Sequence, residues 1–120
     1  MRRIYLDHTA TTPLDPRVFE AMKPYFLEKF GNASSIHQYG QEARAALDES
    51  RAYLARMISA KEGEIFFTSS GTEADNFALK GVAWTMRKKG KTHIITSKVE
   101  HHAVLESCEF LEREGFSVDC

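Results

Sequence analysis

Two short polar segments of the sequence carry the residue types that could do chemistry. Residues 69–73, Ser-Ser-Gly-Thr-Glu, combine a glycine with hydroxyl side chains just before a predicted helix. Free backbone amides and the helix dipole favour an anion such as a phosphate at such an N-terminus. Residues 97–102 end in two adjacent histidines, a side chain that can hold or transfer protons near neutral pH.

Gly71 and Thr72 are the candidate phosphate-binding residues of the first segment. An alternative is that Thr72 is simply the N-cap of the helix. The segment lacks the Gly-Lys-Ser/Thr of a P-loop, and the chain contains no G-x-G-x-x-G motif. Neither a nucleoside triphosphate nor a dinucleotide is therefore indicated as the source of the phosphate.

Among the histidines of the chain, His101 is the best candidate for a functional role. His102 is expected to face solvent, and His93 is expected to be a structural residue within a strand. Because His101 and His102 are adjacent rather than four residues apart, they do not predict a metal site. Cys108 is expected on the apolar face of a helix, and neither Cys108 nor Cys120 has a motif that predicts a disulfide or a zinc site.

The elements that must position these segments follow from the hydrophobic pattern and its breaks. Asp15 before Pro16 predicts the start of the first helix, Pro24 predicts a kink in it, and residues 32–39, between Gly31 and Gly40, are predicted to form a loop. The predicted helices span residues 16–31, 41–59, 73–87 and 104–115, and the predicted strands span residues 64–68, 93–96 and 116–120. Strands separated by helices indicate a mostly parallel sheet with crossover helices, which is the α/β class. Both polar segments then follow the carboxyl ends of strands, where ligands bind in such sheets.

Length and composition limit the remaining possibilities. The 120 residues suffice for one domain or for part of a larger one, and their net charge of -1 offers no basic surface for nucleic acid. No apolar run is long enough to cross a membrane, and the first residues do not resemble a signal peptide. A cytoplasmic location is the resulting expectation.

Five motifs in order resemble the class V pyridoxal-phosphate enzymes, and cysteine desulfurases in particular. Residues 5–13, Tyr-Leu-Asp-His-Thr-Ala-Thr-Thr-Pro, resemble the opening of that family. The other similar stretches are 30–35 with His37 and Gly40, 67–76, 94–97 with Glu100 and His101, and 111–116. His8, Thr9 and Ala33 depart mildly from the family pattern. The resemblance covers essentially the whole chain but only the N-terminal third or so of a complete family member.

The resemblance implies a fold and an activity. The fold would be an incomplete part of a fold-type I pyridoxal-phosphate-dependent transferase. Residues 1–40 would form an N-terminal arm, a helix and pocket loops, and residues 41–120 the first part of the cofactor-binding α/β domain. The activity would convert L-cysteine to L-alanine and transfer the sulfur, as an enzyme persulfide, for iron–sulfur cluster assembly.

The resemblance also implies roles for particular residues. Gly71 and Thr72 would hold the phosphate of pyridoxal 5'-phosphate, which agrees with the independent helix N-terminus argument. His101 would stack on the pyridine ring and assist proton transfer. Three further residues would line the substrate side of the pocket: Ala10, Thr11 and Asn32.

Four groups that the family needs for activity are expected beyond residue 120. They are the Schiff-base lysine, the aspartate at the pyridine nitrogen, the mobile nucleophilic cysteine and the arginine that holds the substrate carboxylate. The isolated chain is therefore expected to be inactive and to need the C-terminal part of the enzyme or a complementing chain. Further expected partners are an iron–sulfur scaffold or other sulfur acceptor and, in the complete enzyme, a second copy in a homodimer.

Two alternatives to this function stay open at the level of sequence. One is a non-catalytic binding protein that docks on a full-length desulfurase or on an iron–sulfur scaffold. The other keeps the family and changes the reaction, to that of a selenocysteine lyase or a class V aminotransferase.

Overall fold

A computed structural model describes residues 3–120, and the chain divides into two compact units, Met1–Ile65 and Phe66–Cys120. The first unit contains α1 (Pro16–Leu27), α2 (Gln38–Met57) and a 3₁₀ turn (Glu62–Glu64). The second unit contains α3 (Gly71–Arg87), β1 (His93–Ile95), α4 (His102–Arg113) and β2 (Ser117–Asp119). The predicted domain division at residue 40 stays a prediction.

Helix α1 begins as the sequence predicts and ends earlier. The side chain of Asp15 accepts a hydrogen bond from the backbone N–H of Arg17 at 2.8 Å, and Pro16 is the first helical residue. The helix continues through Pro24 and ends at Leu27, so the expected extension to residue 31 is wrong. The carbonyl of Pro24 accepts from the amides of both Glu28 and Lys29, and these bonds close the last turn.

Helix α2 begins three residues before the predicted start. Its N-cap is His37, whose Nδ1 accepts a hydrogen bond from the backbone N–H of Gly40 at 3.3 Å. Gln38 and Tyr39, expected to be loop, therefore form the first helical turn together with Gly40. A Cβ on Gly40 would lie 2.2 Å from the carbonyl oxygen of Ser35, so this turn packs closely against the preceding loop and tolerates no side chain there.

The predicted strand at residues 64–68 does not form. Its first residue belongs to the 3₁₀ turn, and Ile65 then has an extended backbone with φ of −100° and ψ of 121°. No strand within residues 3–120 pairs with this segment, and the side chain of Phe66 is 66% exposed. A strand requires hydrogen bonds to a neighbour, so the apolar run gives an extended segment without a ladder.

The second unit is a parallel β–α–β arrangement with α3 packed on its helix. Strands β1 and β2 pair in parallel, with His93 opposite Ser117 and Ile95 opposite Asp119. The α/β class and the strands predicted at 93–96 and 116–120 are thereby confirmed. Helix α3 packs along α4, and the buried core consists of Ala83, Leu111 and Phe116 with Ile94 packed against it.

Arg87 closes the turn that leads from α4 into β2. Its Nη1 donates a hydrogen bond to the carbonyl of Glu114 at 2.8 Å. Its guanidinium also lies over the rings of Trp84 and Phe116, 5.3 and 5.2 Å from their centroids. Gly115 adopts a φ of +88° in this turn, a conformation that favours glycine. The end of α3 is thus joined to the end of α4.

We expect Leu111→Ala to lower the free energy of unfolding by about 3 kcal/mol, because it removes a fully buried side chain and leaves a cavity. Leu111 has 0% exposure. Urea unfolding followed by circular dichroism measures the change. Val82→Ala on α3 is the control: Val82 is 58% exposed, so its effect should stay within about 0.5 kcal/mol. Equal effects of the two changes would contradict the proposed core.

Candidate functional site

The segment before α3 is held by hydrogen bonds among its own residues. Ser70 is the N-cap, and its hydroxyl accepts from the backbone N–H of Glu73 at 3.2 Å. The Glu73 carboxylate in turn accepts from the backbone N–H and the hydroxyl of Ser69, at 2.7 and 2.6 Å. The alternative in which Thr72 caps the helix is therefore wrong, and α3 starts at Gly71 rather than at residue 73.

Gly71 and Thr72 retain free backbone amides at the start of α3. The first amides of a helix have no intrahelical acceptor, and within residues 3–120 no group accepts from these two. A Cβ built on Gly71 would meet no atom within 4 Å. An anion can therefore approach both amides, and α3 adds the dipole of a 17-residue helix. The residues present fit the phosphate of a cofactor.

Glu73 is the one acidic side chain in the first turn of α3. The Ser69 hydroxyl, and then the Ser69 amide, hold the pKa of this carboxyl below its usual value of 4.5. The carboxylate charge opposes the approach of a second anion, and the two bonds from Ser69 partly offset this charge. Glu73 thus uses the amide of Ser69 and leaves those of Gly71 and Thr72 available.

His101 is the N-cap of α4. Its Nδ1 accepts a hydrogen bond from the backbone N–H of Ala103 at 3.1 Å, which requires Nδ1 to be unprotonated. The proton of the neutral ring then lies on Nε2, which has no hydrogen-bond partner among the described residues. His102 is the first helical residue, and its ring centroid lies 6.1 Å from that of His101. The cap therefore fixes the tautomer that presents an N–H outward.

The three residues predicted on the substrate side lie in the first unit. The amides of Ala10 and Thr11 both donate to the carbonyl of Asp7, at 3.3 and 3.5 Å. The side chain of Asn32 accepts from the backbone N–H of Ser34 at 2.9 Å, which is an Asx turn. Each of the three thus has a local structural role. Gly71, Thr72 and His101 lie in the second unit.

Sequence reasoning missed the residues that shape the segment before α3. Ser70 and Glu73 have the Ser-x-x-Glu spacing of a capping box, which predicts Ser70 as the N-cap and Gly71, two residues before Glu73, as the first helical residue. His37 was missed as the cap of α2 because histidine is not among the residues preferred at this position. A histidine indicates a helix start less clearly than Ser, Thr, Asp or Asn does, because its one acceptor at this cap is the lone pair of Nδ1.

The described residues were also compared with what a metal site and a membrane-spanning helix require. Within residues 3–120, no group of three or more His, Cys, Asp or Glu side chains is arranged to hold a metal ion. The same part of the chain contains no helix with the length and apolar character needed to cross a membrane.

Comparison with known proteins identifies the family. The family model described as aminotransferase class-V matches residues 4–120. A cysteine desulfurase IscS from Dictyoglomus turgidum is 61% identical over 117 residues, which are 98% of this chain and 29% of that protein. The chain belongs to the class-V aminotransferase family.

Solved structures agree with this assignment. The structure titled NifS-like protein has a TM-score of 0.91 and 43% identity, and the match covers 98% of this chain and 32% of that one. The structure titled SspA in complex with cysteine has a TM-score of 0.86 and 39% identity, over 96% and 33% of the two chains. The predicted resemblance and fold class are confirmed. The chain spans about three tenths of the length of the curated relatives it matches.

We expect Ser69→Ala to raise the pKa of Glu73 toward 4.5, because the variant removes the hydroxyl that most lowers it. A carboxyl with a lowered folded-state pKa stabilises the fold above its unfolded-state pKa, and this contribution is lost as the pH falls through the folded value. The loss of stability in Ser69→Ala should therefore appear above pH 4.5 and vanish in stronger acid. An NMR titration of the Glu73 carboxyl carbon measures the shift.

Thr72→Val is the matched control for this titration, because the Thr72 hydroxyl makes no hydrogen bond to Glu73. The pKa of Glu73 should not change in that variant. An unchanged pKa in Ser69→Ala would show that the Ser69 hydroxyl does not hold the carboxylate.

Proposed function

We propose that this chain forms the N-terminal part of a pyridoxal-phosphate-dependent cysteine desulfurase. The complete enzyme converts L-cysteine to L-alanine and passes the sulfur on as an enzyme persulfide for iron–sulfur cluster assembly. The observation that carries the proposal is the 61% identity to a cysteine desulfurase over 98% of the chain. The structure titled as a complex with cysteine, 39% identical to this chain, favours cysteine as the substrate.

Gly71 and Thr72 would hold the phosphate of the cofactor. Their free amides and the positive end of the α3 dipole provide hydrogen bonds and charge for a dianion. Pyridoxal phosphate, when bound, withdraws electrons from the substrate carbon next to the amino group. The contribution of this chain is to orient the cofactor through its phosphate.

His101 would be a catalytic residue that stacks on the pyridine ring of the cofactor and moves protons. The N–H at Nε2 can donate a proton and accept it back, while the bond from Ala103 holds the imidazole by its other nitrogen. The substrate side of the pocket would be lined by Ala10, Thr11 and Asn32. The local hydrogen bonds of these residues would keep their loops in place around a small amino acid.

The rest of the machinery would come from residues outside this chain. The resemblance assigns the Schiff-base lysine, the mobile cysteine, the aspartate at the pyridine nitrogen and the carboxylate-binding arginine to the C-terminal part of the enzyme or to a complementing chain. In the complete enzyme we propose a homodimer in the cytoplasm that delivers sulfur to an iron–sulfur scaffold or another acceptor. The isolated chain would then form no alanine.

Gly71→Ala tests the phosphate site without disturbing the helix. The added methyl meets no atom of the chain within 4 Å, so the isolated chain should keep its stability. The methyl would occupy the approach to the amides, and the reconstituted enzyme should bind pyridoxal phosphate about tenfold more weakly, the equivalent of one charge-assisted hydrogen bond. Absorbance titration with the cofactor measures the affinity.

Gly81→Ala is the matched control, because it makes the same change in the middle of α3 and also meets no atom within 4 Å. It should stabilise the isolated chain by about 0.5–1 kcal/mol and leave the affinity unchanged. Equal affinities for the Gly71→Ala and Gly81→Ala enzymes would place the phosphate elsewhere.

Reconstitution tests the activity itself. The chain should form no alanine from cysteine alone, and it should do so when co-expressed with a polypeptide that carries the family's lysine and mobile cysteine. Single-turnover assays of alanine and of persulfide measure the two products. A stable complex with bound cofactor and no activity would contradict the proposed function.

His101→Gln and His102→Gln in the reconstituted enzyme separate the proposed catalytic residue from its neighbour. His101→Gln should lower kcat by about 10²–10⁴-fold, the usual contribution of a positioned acid or base, and His102→Gln should lower it little. An equal loss of activity in the two variants would contradict a specific catalytic role for His101.

A further inference from the structure

A series of side-chain contacts joins the first turn of α3 to α4. Thr72, Asn76 and Lys80 follow one another at intervals of four residues, a spacing that places them on one face of the helix. The side-chain NH2 of Asn76 donates a hydrogen bond to the carbonyl of Thr72 at 2.9 Å, and Nζ of Lys80 donates to Oδ1 of Asn76 at 2.6 Å. Nζ of Lys80 also lies 4.4 Å from the ring centroid of Phe110 on α4.

Lys80 determines which way the amide of Asn76 is turned. A lysine ammonium has three donors and no acceptor, so the amide oxygen of Asn76 must face it. The NH2 group then faces the other way, toward the carbonyl of Thr72. Both side chains are partly buried, which lowers the competition from water for these bonds. Asn76 therefore cannot turn over without losing a bond at each end.

The peptide between Thr72 and Glu73 is held at both of its polar atoms. Its carbonyl oxygen accepts from Asn76, and its N–H donates to the hydroxyl of Ser70, the N-cap, at 3.2 Å. Consecutive hydrogen bonds polarise one another, so the charge of Lys80 acts through Asn76 on this peptide and on the cap. Only the backbone dihedrals of Thr72 separate the held peptide from the one that carries the free N–H of Thr72. The direction of that free N–H therefore depends on the held peptide.

The contact of Lys80 with Phe110 is a second link between α3 and α4. Arg87 joins the ends of the two helices, and Lys80 lies about 10 Å nearer to the start of α3 at a rise of about 1.5 Å per residue. An ammonium over an aromatic face is attracted by the quadrupole of the ring. Asn76, Lys80 and Phe110 lie outside the buried core cluster, so filling that core does not require their contacts.

We propose that Asn76 and Lys80 are positioning residues for the phosphate of the cofactor. Lys80, anchored on Phe110, holds Asn76, and Asn76 holds the Thr72–Glu73 peptide so that the amides of Gly71 and Thr72 stay directed at the phosphate. The inference rests on the proposed function, because it takes these two amides as the phosphate site. Asn76 and Lys80 act through Thr72 and not by contact with the phosphate.

Hydrogen exchange of the Asn76 side-chain NH2 tests the contacts in the 120-residue chain without a cofactor. Lys80→Met keeps an unbranched stem and removes the ammonium, and exchange measured by NMR should become about fivefold faster, as expected for the loss of one hydrogen bond. Lys80→Arg keeps a charged donor and should restore most of the protection. Lys88→Met removes the same charge at the exposed end of α3 and should have no effect. Equal exchange in Lys80→Met and the wild-type chain would overturn the proposal.

Absorbance titration of the reconstituted enzyme with pyridoxal phosphate tests the positioning. Asn76→Ala and Lys80→Met should each weaken binding by about fivefold, whereas Lys88→Met should not. The double variant should bind no more weakly than either single variant, because both substitutions break the same series of contacts. The ³¹P NMR signal of the bound cofactor should be displaced equally in these three variants, a change that a role in helix packing alone would not produce. Additive losses of affinity would refute the positioning role.

Gly71→Ala separates a failure of this inference from a failure of the proposed function. Weaker cofactor binding in Gly71→Ala, with unchanged binding in Asn76→Ala and Lys80→Met, would show that the phosphate site is correct and the positioning role is wrong. Unchanged binding in all three variants would place the phosphate elsewhere and overturn both.

Discussion

The burial of Leu111 against Ala83 and Phe116 is the contact on which the second unit depends. Ala83 is small enough to let α3 approach α4 closely, and Phe116 brings the start of β2 under the same two helices. The apolar area removed from water at this one cluster offsets the entropy of ordering the turn from α4 into β2. The positions of both helices, and therefore of both helix N-termini, follow from it.

The candidate site consists of what those helix starts leave unsatisfied. At α3, Ser69, Ser70 and Glu73 satisfy each other, and the amides of Gly71 and Thr72 remain for a ligand. At α4, His101 uses one nitrogen to cap the helix and keeps the other. The residues that cap the two helices therefore also determine which groups remain available to a ligand. A change that frays either helix start would alter the site before it unfolded the unit.

The sequence predicts those parts of the fold that depend on local interactions. Asp15 and Pro16 specify the start of α1 through one side-chain bond and one fixed backbone angle, and the apolar face of α4 agrees with the burial of Cys108 and Leu111. The segment after residue 64 was predicted as a strand and has no pairing partner among the described residues. Its apolar composition fixes an extended backbone, whereas ladder formation depends on a distant neighbour that no local pattern reveals.

The candidate site likewise has one feature that the sequence predicts and others that only the folded chain reveals. The proposed phosphate-binding role of Gly71 and Thr72 could be predicted from a glycine and hydroxyl side chains before a helix, because the amides that would bind the phosphate belong to the same short segment. The identity of the N-cap did not follow, since Ser70 and Thr72 are both good caps and only the hydrogen bonds of the folded chain distinguish them. The tautomer of His101 likewise depends on the direction of a single amide, that of Ala103.

Tryptophan and tyrosine are divided between the two units, so each unit has its own optical signal. Trp84 is the one tryptophan of the sequence, and its ring meets Phe116 edge to face with centroids 5.6 Å apart. The guanidinium of Arg87 lies over both rings. The four tyrosines, Tyr5, Tyr25, Tyr39 and Tyr53, all belong to the first unit. Indole emission therefore reports on the second unit alone, and phenol absorption reports on the first.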